Sequence, residues 1–123
     1  MRPLLPSEGM QAFAEQVSEY TGSHFNLSLG PDSVDLVHGA ALHDAVVLYA
    51  HAATKMLSQS ADIHDGKAAT AAVRSTVFES AVSGRVALDH NGDRIQSYQV
   101  MNYVMVDGEV STELVGSFDS SEG

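Results

Sequence analysis

The chain of 123 residues has no cysteine and no tryptophan, only three prolines, and six lysines and arginines against sixteen acidic residues. Without cysteine there is no disulfide framework, no thiolate nucleophile and no thiolate metal ligand, and the redox compartment stays open. The shortage of basic residues leaves a formal charge of −10, which repels phosphate backbones and anionic headgroups, so nucleic acid is disfavoured as a partner. No apolar run approaches the roughly 20 residues needed to span a bilayer. Met1-Arg2-Pro3-Leu4-Leu5-Pro6 is too short and too proline-broken for the apolar core of a signal peptide. What the chain does have is a hydrophobic fraction of 44%, enough to build one core and to argue against wholesale disorder.

The apolar spacing predicts three helices and then a strand-rich end. Ser7 is a helix cap, Met10, Phe13, Ala14 and Val17 fall at i, i+3, i+4 and i+7, and Gly22 is placed to end the segment. A connector containing Gly30-Pro31 follows. Asp32 or Ser33 then opens a long helix in which Val34, Val37, Ala41, Ala45, Leu48, Ala52 and Met56 make the expected inner stripe. Ala40, Ala41, Ala45, Ala50, Ala52 and Ala53 are small enough to let another backbone come close. After a polar loop from Gln59 to Gly66, Asp65 caps a third helix expected from Lys67 to about Phe78, with Ala69, Val73 and Val77 inside. Asp89, Asn91, Gly92 and Asp93 form a structural turn, since Asn-Gly supplies positive φ cheaply, and this turn is expected to join a strand at Val86 to Leu88 with one at Tyr98 to Met105. Asp107-Gly108 signals a further turn before a last strand from Val110 to Phe118, and the DSSEG tail is expected to fray.

Chemistry is harder to find. His38, His43 and His51 share the long helix, but their separations of five and eight residues do not place ligands on one face as a zinc site wants, and H-E-x-x-H is absent. Asp44 and His51 lie two turns apart on nearly one line, a long reach for direct contact. The 89–93 turn has glycine fourth and Val100 at the twelfth position, so it departs from an EF-hand loop and fits a turn whose carboxylates bond their own backbone. No serine sits in a G-x-S-x-G elbow and no glycine-rich phosphate loop occurs. We expect no catalytic residue, no cofactor and no metal. Asn26-Leu27-Ser28 is a sequon that makes Asn26 a candidate glycosylation site if the segment is extracellular.

The helix ALHDAVVLYAHAATKML, then Thr76-Val77-Phe78-Glu79, the turn SGRVALDHNGDR and the strand SYQVMNYV resemble, in order and spacing, the C-terminal third of the type I periplasmic-binding-protein-like ligand-binding region. This is the extracellular region of natriuretic-peptide-type receptor guanylate cyclases, shared with class C G-protein-coupled receptors and bacterial amino-acid-binding proteins. The resemblance runs from about Phe13 to Phe118 and is specific from Ala41 to Val104. It implies an α/β class and a partial two-lobed fold, here three helices followed by a short-stranded hairpin and a tail strand, forming one partial region over residues 1–123. It also implies a non-catalytic extracellular segment of a membrane-anchored receptor, a small-molecule or peptide ligand in the complete domain, closure or dimerisation on ligand, and a homodimer partner. Such a region spans several hundred residues, so most ligand-contacting positions fall outside this chain and none is carried over. Helix faces and strand edges that absent elements would cover are expected to be exposed. The alternative is a free-standing small α/β interaction module; chemistry through a histidine-bound metal ranks third.

Overall fold

The structure, a computed structural model, describes residues 7–30 and 34–118. The expected cap at Asp32 or Ser33, the side chain of Val34, residues 1–6 and the tail 119–123 lie outside the described residues. Three helices, α1 (Glu8–Phe25), α2 (Val34–Ser58) and α3 (Gly66–Arg74), are followed by strands β1 (Phe78–Ser80), β2 (Gly84–Val86), β3 (Tyr98–Val106) and β4 (Glu109–Phe118). The strands pair as two antiparallel hairpins, β1 with β2 and β3 with β4. This is a mixed α/β architecture, the class expected from the resemblance drawn above.

Local chemistry sets the helix ends. The Ser7 hydroxyl accepts from the Met10 N–H at 3.2 Å and starts α1. Gly22 does not stop it. The helix continues to Phe25 and closes on Asn26, whose φ of 52° is left-handed and whose N–H returns to the Thr21 carbonyl. Likewise α2 ends where Ser60, at φ 57°, lets the Ala61 N–H reach the Met56 carbonyl at 2.9 Å. Asp65 caps α3 by accepting from the N–H groups of Lys67 and Ala68 at 3.0 and 3.3 Å. The third helix stops at Arg74, short of the expected Phe78, because the Thr76 hydroxyl donates to the Ala72 carbonyl at 2.7 Å and displaces the next helical bond. Val77 is consequently exposed and Phe78 opens β1.

The buried stripe of α2 is Leu36, Ala40, Asp44, Leu48, Ala52 and Met56, an unbroken i, i+4 row. Val37, Ala41 and Ala45, expected inside, face out. Ala52 and Met56 meet Ala72 of α3, with Ala68, Ala69 and Val73 packed around them; alanines at this crossing let the two helices approach closely. On the other side, Phe13 of α1 reaches over Gly39 and meets the ring of His43 edge-on at 5.7 Å.

Strand pairing departs from expectation in one respect. The turn at Asn91-Gly92 does not join β2 to β3. It is closed on itself by a single bridge between Leu88 and Arg94, while Val86 pairs back to Phe78. Strand β3 takes β4 as its partner through Asp107 and Gly108, at φ 52° and 85°, the pair of positive φ values that a tight two-residue hairpin needs. The described residues form two compact units, one ending at Arg94 and the other beginning at Ile95. Within the second, a register shift between Val100 and Met101 kinks the ladder.

Candidate functional site

The most concentrated polar chemistry of the fold is built on Asp44, in the middle of the apolar stripe of α2. A carboxylate there is costly unless fully partnered. It is only 2% exposed, and its partners come from far along the chain. Ser80, at the end of β1, donates to Oδ1 at 2.5 Å. The Ser83 hydroxyl donates to Oδ2. Arg94 Nη1 donates to Oδ2 at 3.3 Å, and His43 Nδ1 lies 3.2 Å from Oδ1. Burial pushes the Asp44 carboxyl up, but the bonds from Ser80, Ser83 and His43 and the Arg94 charge outweigh it and hold the group below its ordinary value of 3.8.

The donors are themselves held in place. Ser80 Oγ accepts from the N–H groups of Val82 and Ser83 at 3.1 and 3.3 Å, which shapes the turn between β1 and β2. Arg94 Nη2 donates to Ser83 Oγ at 2.6 Å and to the Arg85 carbonyl at 3.5 Å. One carboxylate thus ties α2, the β1–β2 turn and the end of the Asn-Gly turn together. The serines donate straight to the carboxylate, with no imidazole between, so the order of groups that activates a serine nucleophile is not present in this cluster. It is a latch.

Next to it, α1, α2 and the β1–β2 turn enclose an open groove of 510 Å³ lined by Phe13, Val17, Tyr20, His43 and Val82. Gly9 allows α1 to sit here, because a Cβ at that position would collide with the Ala81 carbonyl, and the Ser7 hydroxyl donates to the Val82 carbonyl at 3.2 Å.

The 89–93 turn lies at the end of this first unit. Asp89 Oδ1 accepts from the N–H groups of Asn91 and Asp93 at 2.8 and 2.9 Å, and Gly92 takes φ 93°. The backbone N–H of Asp93, with those of Asn91 and Gly92 and the neighbouring His90, keeps the Asp89 carboxyl below its ordinary value against a small cost of desolvation. Arg74 of α3 lies over the turn, its Nη2 3.5 Å from the Asn91 carbonyl. The turn and the latch meet at Arg94, which bridges to Leu88 across the turn and donates to Asp44. His51 packs against Phe78 at 4.9 Å, away from Asp44, and among the described residues no three His, Asp or Glu side chains group as a metal ion would require. Asn26 caps α1 in an exposed position.

Residues 6–105 match the sequence profile of the receptor family ligand-binding region. The chain belongs to that family. Among curated proteins it is similar to receptor-type guanylate cyclase gcy-28 of Caenorhabditis elegans, 33% identical over 63 residues, which is 51% of this chain and 5% of that protein. Receptor-family ligand-binding regions are extracellular and bind small molecules or peptides without catalysing a reaction, and among the described residues no helix is long and apolar enough to cross a membrane. The sequence reading missed Asp44 as the hub of a network. Its signal was available: an acidic residue four positions from both Ala40 and Leu48, inside an otherwise apolar row.

Proposed function

We propose that this chain supplies the segment of a receptor ligand-binding region in which one lobe ends and the connection toward the other begins, within a two-lobed domain that closes or rearranges its dimer on binding a small molecule or peptide. The observation that carries this reading is the coincidence of a family match over residues 6–105 with a division between compact units at Arg94 and Ile95. On this reading the Asp44–Arg94 latch fixes the last residue of the first unit, so that movement is confined to the connection beyond it. The parent would be a membrane receptor, and the likeness to a receptor-type guanylate cyclase makes a cyclase output outside this segment the natural candidate. The apolar side chains left exposed on α2, among them Leu42, Val46 and Tyr49, fit a face that other parts of such a domain would cover.

One observation favours a second reading. The unit ending at Arg94 has its own helix–helix core and a polar network built from its own residues around Asp44, as a free-standing interaction module would. The transcript around the segment separates the two. A secretory leader and further α/β halves upstream, with a membrane helix downstream, support the receptor; a start and stop codon directly flanking the segment support the module.

A further inference from the structure

We propose that Asn26 carries an N-linked glycan that shields the C-terminal end of α1. Asn26-Leu27-Ser28 is the one N-x-S/T sequence in the chain. The structure puts it where a sugar has room. All three residues are exposed, and neither the Asn26 amide nor the Ser28 hydroxyl bonds another described residue, whereas the backbone is fixed by the left-handed cap and by the Leu27 N–H donating to the Thr21 carbonyl at 3.2 Å. A glycan attached there leaves every cap hydrogen bond in place.

The surroundings give the modification a purpose. Tyr20, Phe25 and Leu27 are 56%, 67% and 50% exposed, and the rings of Tyr20, His24 and Phe25 pack on one another at 4.1 to 6.4 Å. An aromatic patch of this kind in water favours association. A bulky hydrophilic glycan rooted in its middle covers it. In the transfer, the Asn26 amide nitrogen attacks C1 of an oligosaccharide borne on a polyprenyl pyrophosphate. The N–C1 bond forms as the C1–O bond breaks, the amide loses one proton, and the lipid pyrophosphate departs.

This inference rests on the extracellular reading, and the two can fail separately. The whole chain is directed into the secretory pathway of eukaryotic cells behind an added leader, and the Asn26 peptide is read by mass spectrometry before and after peptide-N-glycosidase. The expected result is a single enzyme-sensitive glycan, lost in Asn26→Gln and Ser28→Ala and kept in Ser28→Thr. Secreted chain with Asn26 unmodified in both the natural sequence and Ser28→Thr overturns the site while leaving the receptor reading standing. A glycan that appears with the added leader, in a protein found only in the cytosol of its own cells, overturns the receptor reading and with it the modification in nature.

Discussion

Removing the Asp44 carboxylate should cost the fold more than any surface change, and the size follows from its partners. Asp44→Ala leaves the Ser80 and Ser83 hydroxyls without their acceptor and the Arg94 guanidinium without its counter-charge. Hydrogen bonds to a charged group contribute about 1.5–3 kcal/mol each, and breaking a buried charge pair costs about 3–5 kcal/mol. The Arg94 side chain is 25% exposed, so water recovers part of its share and the lower end applies. We expect a loss of about 3 kcal/mol, against a total of about 5–15 kcal/mol for a typical domain, and a drop in Tm of roughly 10 °C at this chain length. Asp44→Asn keeps the shape and one acceptor oxygen and should cost about 2 kcal/mol. Urea and thermal unfolding followed by circular dichroism at neutral pH measure both. A double-mutant cycle of Asp44→Asn with Ser83→Ala should show coupling above about 0.5 kcal/mol. Full additivity, or an Asp44→Ala loss under about 1 kcal/mol, would refute the latch.

Further outcomes follow from the same geometry. Because the folded state holds Asp44 below its ordinary 3.8, its contribution is complete above that value and is lost as pH falls through the depressed one; acid titration of stability should show this loss in the natural chain, and Asp44→Asn should be missing that component. Gly9→Ala, although it favours helix locally, drives a Cβ into the Ala81 carbonyl and should destabilise by about 1–3 kcal/mol, read as a lowered urea midpoint. At the left-handed cap, Asn26→Gly should not lower stability, since glycine reaches positive φ without a Cβ penalty, while Asn26→Val should cost about 1–2 kcal/mol. Ala52→Leu overfills the crossing of α2 and α3 at Ala72 and should lose about 1–3 kcal/mol, with a loss of near-ultraviolet signal or chemical-shift dispersion around Met56.

The parts of the fold legible in the sequence are those decided by near neighbours. The starts of α1 and α3 follow from Ser7 and Asp65, each accepting from N–H groups two or three residues on. The order of three helices and then strands, and the tight turn at Asp107-Gly108, follow from periodicity and from positive φ in the same way. The end of α1 was misplaced because Gly22 and Asn26 both suit a stop, and only the return of the chain through Leu27 decides between them. The inner face of α2 was misread for a deeper reason. Its true row contains Asp44, which no apolar count admits, and the groups that make its burial affordable lie 36 to 50 residues away. The same distance hid the strand pairing. Arg94 is drawn to Asp44, so the Asn-Gly turn closes on itself and β2 stays with β1.

Labelling intact cells tests the receptor account most directly. With an epitope placed in the exposed loop after α2 of the natural full-length protein, antibody should bind live, unpermeabilised cells. Signal that appears only after permeabilisation would contradict an extracellular ligand-binding role.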